Sequence, residues 1–228
     1  MNWLINNWDD VPLLALQHLR LSVAPIVLGF VLSIPLGWLA YRFRLTRGIL
    51  LTVAGLLYTI PSIALFVVLP PLLGISFLSE LNVTIALTIY AVAIMARSVA
   101  DALDSVEPDI RQAATAVGYG AWRRFWAVEF PLAGPVILAG LRVAAVSTVA
   151  LVTVGALLGV KSLGYLFIDG SQRHILIEVL TGVLLTMVLA LVIDRLLVLL
   201  GRVLMPWAPR KASRVRGQLK HSAQGAYL

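Results

Sequence analysis

Long, nearly uninterrupted apolar runs constrain this chain more than any other feature. The first charge-free run covers residues 21–41, and four more apolar stretches follow along the 228 residues. A helix that crosses a bilayer needs roughly 20 mostly apolar residues, whereas barrel strands would alternate between apolar and polar residues. Charged residues make up only 13% of the chain, against about 25% in soluble domains. The sequence therefore predicts an all-α polytopic membrane protein.

The apolar stretches predict five transmembrane helices. They lie at residues 18–41, 48–73, 82–103, 132–160 and 178–205. At about 1.5 Å per residue, each is long enough to cross a hydrocarbon core of about 30 Å. Pro61 should kink the second helix. The chain then divides into an external segment at 1–17, a transmembrane domain at 18–205 and a basic tail at 206–228.

Basic residues divide unevenly between the two sides of these predicted helices. Twelve lie in the first connection, in the third connection and at the C-terminal end from Arg202 onward, against three on the opposite side: Arg20, Lys161 and Arg173. Cytoplasmic loops are enriched in Lys and Arg. We therefore expect the N-terminus outside, the C-terminus inside and a cytoplasmic loop at 104–131. The net charge of +7 then reflects topology and not nucleic-acid binding, and the tail is either solvated or in contact with anionic lipid.

The cytoplasmic loop contains a stretch in which charged, small and aromatic residues interrupt the apolar runs, "DIRQAATAVGYGAWRRFWAVEFPLAGP". Pro108 can begin a helix that Gly118 should end. A second short helix is predicted at 121–128, with Trp122, Phe125 and Trp126 on one face. From the residues alone, an ordinary interfacial loop and a protein-docking loop both remain open.

The spacing of this stretch resembles the signature of permease subunits of binding-protein-dependent ABC importers. That signature reads Glu-Ala-Ala, three residues, Gly, nine residues, then Ile-x-Leu-Pro. Here the matching residues are Gln112-Ala113-Ala114, Gly118 and Val128-Glu129-Phe130-Pro131. The resemblance implies a coupling helix that docks on a separate ATPase subunit through Gln112, Ala113, Ala114, Gly118 and Pro131. Three positions depart from the signature: Gln112 replaces Glu and lacks its charge, Val128 replaces Ile, and Phe130 replaces Leu.

Other stretches are similar to the glycine betaine/carnitine/choline branch of this family, the osmoprotectant importers. They include "HLRLSVAPIVLGFVLSIPLGWLAYR", "YTIPSIALFVVLPPLLGI" and "GVKSLGYLFIDG", although Lys161-Ser162 stand near the place where the branch has a further Gly-Gly. The resemblance implies the five-helix core of methionine-type permeases in a bacterial or archaeal plasma membrane. It also implies a second permease subunit, identical or sister, two ATPase subunits and an extracytoplasmic binding protein that delivers the solute.

Charged residues within the predicted spans are further candidates. Arg97 and Asp101 are four residues apart and can pair on one helix face. Arg142 lies deeper and is a candidate for the translocation pathway or the subunit interface, unless it pairs structurally. Outside the spans, a turn-rich segment at residues 164–170 contains Gly164, Tyr165 and Phe167. We expect this segment to lie near the binding protein. A plain surface turn would have the same sequence features.

Nothing in the sequence indicates catalysis, a metal or a cofactor of the chain's own. The histidines, at positions 18, 174 and 221, are too scattered for a metal motif, and no GxxxxGK[ST] phosphate loop occurs, so ATP is expected on a partner subunit. Three alternatives remain. The same machinery could carry an amino acid such as methionine, an ion gradient could drive transport through Asp194, or the chain could be a non-transporting scaffold.

Overall fold

The computed structural model describes residues 10–208, apart from the side chain of Arg44. Every regular element within that range is helical, which confirms the all-α prediction. The α-helices are α1 (Asp10–Arg42), α2 (Arg44–Thr59), α3 (Ser62–Leu73), α4 (Glu80–Asp104), α5 (Pro108–Ala116), α6 (Ala121–Arg124), α7 (Phe130–Gly155), α8 (Gly164–Gln172) and α9 (Leu176–Leu204). A π-helical turn, Phe125–Glu129, joins α6 to α7, and a 3-10 turn, Ala156–Leu158, follows α7. Four helices in this range are long and apolar enough to cross a membrane, and the bent pair α2–α3 is a fifth candidate.

Helix α4 is the centre of the bundle and packs against α1, α2, α3 and α7. Small residues bring α1 and α4 close together. Gly29 of α1 faces Ala91 of α4, and Gly37 faces Val99, so closely that a Cβ on either glycine would collide with the opposite side chain. Small residues at helix interfaces give the tight van der Waals packing on which association in lipid depends.

Helix α1 begins at Asp10, before the predicted start of the first span at residue 18. The additional turns are held by a small apolar cluster, in which Leu14 packs with Leu163 and Leu166 near and within α8. Burial against α8 thus extends the helix beyond the apolar run. The part of the predicted external segment at 1–9 lies outside the described residues.

The predicted kink at Pro61 is a complete break. Helices α2 and α3 meet at 105°, with Ile60 in an extended conformation, as expected for a residue before proline. Two side chains of α4 bond the backbone beside the break. The Tyr90 hydroxyl donates to the carbonyl oxygen of Ile60 at 2.5 Å, and Asn82 Nδ2 donates to that of Phe66 at 2.9 Å.

The helix ends that carry the predicted cytoplasmic segments meet at one end of the bundle. Arg47, at the start of α2, pairs with Asp104 and, at 3.1 Å, with Asp101 at the end of α4. The predicted pairing of Arg97 with Asp101 is therefore wrong. The carboxylates of Asp101 and Asp104, on one face of α4, both bind the Arg47 guanidinium. The cation that pairs with Asp101 therefore comes from another helix.

Candidate functional site

Helix α5 lies exposed at this end of the bundle. None of its residues is buried, and Gln112 and Ala113 are exposed while Ala114 is half-buried. Val117, which follows the helix, leaves 79% of its surface exposed. Beside α5 lies an open groove of about 340 Å³, lined by Arg111, Gln112, Thr115, Ala116 and Arg124. A helix of which no residue is buried presents most of its surface outward.

Gly118 ends α5 in the left-handed conformation, with φ of 95°. The Gly118 N–H donates to the carbonyl oxygen of Thr115 at 3.0 Å, and the Tyr119 N–H donates to that of Ala114 at 3.1 Å. This pair of bonds is the Schellman arrangement that closes many helices. A Cβ on Gly118 would meet nothing within 4 Å, so the requirement for glycine is conformational. The predicted glycine break is confirmed.

Two arginines hold α5 against the bundle. Arg111 donates to the hydroxyl of Tyr41 at the end of α1 and, at 2.8 Å, to the carbonyl oxygen of Val106. Arg124 donates from Nη1 to Oγ1 of Thr115 at 2.8 Å and from Nε to Oε1 of Glu129 at 2.6 Å. The loop therefore has a defined position although α5 buries little surface.

The second short helix predicted at 121–128 is not separate. Helix α6, the π-helical turn and α7 form one continuous helical segment, Ala121–Leu158. Pro131 lies in the first turn of α7. Its ring removes one backbone donor, and the wider π turn directly before it accommodates that irregularity.

The aromatic face predicted for this segment is confirmed. Phe125 is buried, and its ring lies 4.9 Å from that of Trp126 and 6.0 Å from that of Trp38 on α1. Trp122 and Trp126 remain 66% and 44% exposed. The aromatic cluster fixes the base of α7 against α1 and leaves two indole rings at the surface.

The charged residues of the spans have different surroundings. Arg142 on α7 makes a two-pronged ion pair with Asp194 on α9, at 2.6 and 2.9 Å. Arg195 and Arg97 are exposed, and Arg97 makes no ion pair within residues 10–208. Arg142 therefore makes a structural ion pair, which is one of the two interpretations that the sequence left open. Arg97, in contrast, is an unpaired cation on a surface of the bundle.

The segment expected near the binding protein is the helix α8 and not a series of turns. Gly164 is buried against the backbone of Thr153, and Phe167 packs on Gly182. Tyr165 is 46% exposed. Of the three candidates, only Tyr165 presents a large surface.

Tyr165 lines a cavity of about 410 Å³ that the sequence did not predict. Its lining includes Asp10, Lys161, Asp169, Arg173 and Glu178. Glu178 is 1% exposed and pairs with Arg173 at 2.6 Å. The sequence signal that could have indicated this pair is an acidic residue, Glu178, at the start of an apolar run and five positions after Arg173.

Among residues 10–208 no cluster of three or more metal-ligating side chains occurs. The buried His18 is held by the backbone, because its Nε2 lies 3.0 Å from the carbonyl oxygen of Val149. The chemistry of the described residues is therefore that of helix packing and ion pairing, with α5 as an exposed helix.

Comparison with known proteins identifies the class. The model of the family of binding-protein-dependent transport system inner membrane components matches residues 19–205. The chain belongs to this family. It is a permease subunit of an ABC importer, and ATP hydrolysis belongs to a separate subunit.

Individual relatives narrow the comparison. The chain is 33% identical over 208 residues to the osmoprotectant import permease protein OsmW of Salmonella typhimurium, covering 90% of this chain and 97% of the relative. It is 27% identical over 207 residues to the glycine betaine/carnitine/choline transport system permease protein OpuCB of Bacillus subtilis, covering 90% and 94%. Among solved structures, the MetNI methionine ABC transporter in an inward-facing conformation superposes with a TM-score of 0.77 over 85% of this chain and 95% of that chain. With 20% identity, this likeness establishes the fold alone.

Proposed function

We propose that this permease subunit translocates a compatible solute of the glycine betaine, choline or carnitine type. Support comes from family membership together with the relatives named for osmoprotectants and for glycine betaine, carnitine and choline. An extracytoplasmic binding protein delivers the solute and supplies the aromatic faces that bind a quaternary ammonium. The permease itself then needs no aromatic cage.

The observation that carries the coupling role is the exposed helix α5, closed by the left-handed Gly118 at the end of the bundle where the cytoplasmic segments meet. Gln112, Ala113 and Ala114 contact an ATPase subunit, while Gly118 and Pro131 shape the loop at 104–131. ATP-driven closure of two ATPase subunits displaces α5 and switches the access of the pathway between the two sides of the membrane. Such a switch needs two conformations with different contacts.

The chain crosses a bacterial plasma membrane five times, with α2 and α3 together as one broken span. The N-terminus is outside with residues 1–17, and the C-terminus is inside with the basic tail at 206–228. Positive charge supports this orientation, because Arg42, Arg47, Arg111 and Arg124 lie at the end of the bundle that holds α5. Cytoplasmic surfaces carry such an excess.

A second permease, identical or a sister subunit, completes the pathway. Exposed Arg97 faces the pathway or the partner, because an unpaired guanidinium is costly in hydrocarbon. Arg142, paired with Asp194, orients α7 against α9 at or near that interface. The apolar side chains that α9 leaves exposed contact lipid or the second subunit.

Tyr165 is proposed as the contact with the binding protein at the outer surface. A Tyr165→Cys variant bearing a photoreactive group should crosslink to the loaded binding protein. A group on a Leu191→Cys variant, exposed in the middle of α9, is the control. Crosslinks from position 191 alone would reject the assignment of Tyr165.

Reconstitution tests the function as a whole. The permease, its genetically adjacent ATPase and the binding protein are placed in proteoliposomes, and uptake of labelled glycine betaine, choline, carnitine and methionine is measured. We expect uptake of a quaternary ammonium that requires internal ATP and the binding protein. Uptake of methionine alone would reject the proposal that the transported solute is a quaternary ammonium. Uptake that persists without ATP and is abolished by an ionophore would reject the ABC mechanism.

A further inference from the structure

A chain of hydrogen bonds crosses the turn between α5 and α7. It begins at Glu129, in the π-helical turn, whose carboxylate is 2% exposed and accepts from Arg124 Nε at 2.6 Å. Arg124 Nη1 donates to Oγ1 of Thr115 at 2.8 Å, and Thr115 Oγ1 donates to the carbonyl oxygen of Arg111 at 2.8 Å. One guanidinium thus binds the base of α7 and the C-terminal end of α5 together.

Burial makes the inner half of this connection strong. A carboxylate removed from water is costly unless a cation and hydrogen bonds compensate it. Arg124 is the cation that pairs with Glu129 in the part of the chain described, and its side chain is 24% exposed. Salt screens an ion pair so shielded much less than one at a fully solvated surface.

The π-helical turn gives Glu129 its direction. The Phe130 N–H donates to the carbonyl oxygen of Phe125, five residues before it. One extra residue in a turn rotates the following side chains by about 100° relative to a regular α-helix. Such turns occur frequently at functional sites. Here the turn lies at the joint between the docking loop and the long helix.

The backbone between α5 and α6 is a weaker connection. It consists of the left-handed turn at Gly118 and the extended Gly120. A short linker that contains two glycines lets α5 pivot without moving α7, whereas a bond from Arg124 to Thr115 opposes such a pivot. Arg123 cannot do this, because its guanidinium lies over the Tyr119 ring at 4.7 Å.

We propose that Arg124 is a positioning residue that transmits displacement of the docking helix α5 to α7, with Glu129 as its inner anchor and Thr115 as its outer anchor. This inference rests on the proposed docking role of α5. Disruption of the connection leaves ATPase binding to the surface of α5 intact but separates ATP hydrolysis from solute movement. The phenotype is uncoupling and not loss of assembly.

The test uses the complete transporter in proteoliposomes and measures ATP hydrolysed per solute transported. Arg124→Gln removes both bonds, and Thr115→Val removes only the exposed outer anchor. Arg123→Gln is the matched control, because it removes a neighbouring positive charge outside the connection. Thr115→Ser keeps the hydroxyl and should restore coupling. Co-purification of the ATPase measures assembly in every variant.

We expect Arg124→Gln and Thr115→Val to retain the ATPase and to raise the ATP-to-solute ratio about fivefold or more, at the lower end of typical coupling between sites. Arg123→Gln and Thr115→Ser should keep the wild-type ratio. Arg124→Gln could lower the membrane abundance of the permease, because it leaves Glu129 buried without a partner. In that case coupling is judged from Thr115→Val and from the double variant Arg124→Gln/Glu129→Gln, which buries no unpaired charge.

Two outcomes would overturn the inference. An unchanged ratio in assembled Thr115→Val and in the double variant would show that the connection is only structural. An equal rise in Arg123→Gln would show that loop charge matters and not the connection. Failure of the wild-type permease to bind any ATPase would reject the docking role itself, which is a separate result.

Discussion

The shape of the loop that contains α5 depends on one residue with φ of 95°, Gly118. The two bonds that close α5 require this left-handed conformation, in which a Cβ approaches the following carbonyl oxygen. Because open space surrounds the Cα, a larger side chain would strain the backbone without colliding with a neighbour. The effect of substitution should therefore stay local.

We expect Gly118→Val to cost about 1–2 kcal/mol at this turn and to displace α5 without unfolding the bundle. Membrane abundance should be normal, while ATPase co-purification and uptake fall. Gly120→Ala is the control, because Gly120 has φ of −66° and open space around it. Equal ATPase association in wild-type and Gly118→Val transporters would contradict the prediction.

The small side chains of α5 are expected to allow close approach of the ATPase. Ala114→Arg should insert a bulky charge into that contact and reduce co-purification of the ATPase to near background. Ala114→Ser adds only one small polar atom and should have little effect. Assembly that survives Ala114→Arg would show that the ATPase does not cover this face of α5.

Single residues differed in how well the sequence predicted them. Gly118 was predictable because the demand for a left-handed turn is local. The partner of Asp101 was not, because Arg47 is 54 positions away and an alternative, Arg97, stood one helical turn away. The link between Arg124 and Glu129 was missed because a π-helical turn, which sequence periodicity does not indicate, sets the direction of Glu129.

At the scale of helices, the ion pair between Arg142 and Asp194 connects α7 to α9. The two hydrogen bonds are directed, and the Arg142 side chain is 42% exposed. Loss of one partner leaves the other unpaired in an apolar span, at about 2.5–3.5 kcal/mol on insertion scales. The pair therefore orients the two helices mainly because separating Arg142 from Asp194 is costly, and less because the pair itself has a favourable net free energy.

We expect Arg142→Gln to lower the thermal unfolding midpoint of the purified permease and Arg142→Gln/Asp194→Asn to recover most of that loss. Arg97→Gln is the control for removal of an unpaired arginine. It should leave the midpoint unchanged and reduce uptake, as its proposed place in the pathway or interface requires. Additive losses in the double variant would show that the two residues act independently.

The apolar runs predicted where the long helices lie but not where they end. Helix α1 continues to Asp10 because Leu14 packs on Leu166 of α8, a contact with no counterpart in local hydropathy. The helical state of α8 was also missed. Its two glycines suggested turns, whereas Gly170 fits closely against Val179 and Glu178 of α9.

For the whole molecule, the orientation can be tested directly because the chain contains no cysteine. Lys161 and Glu107 are both exposed, at opposite ends of the bundle. In intact cells an impermeant maleimide should label the Lys161→Cys variant and not the Glu107→Cys variant. Permeabilised cells should label both. Labelling of Glu107→Cys in intact cells would reverse the proposed topology.

The break between α2 and α3 also has a consequence for how the chain is made. Helix α3 has 12 residues and spans about 18 Å, which is short of a hydrocarbon core of about 30 Å. The side chains that bond the backbone at Ile60 and Phe66 come from α4, which is synthesised later. During biogenesis we therefore expect α3 not to insert independently, and to reach its final position only after α4 has been synthesised and packs beside it.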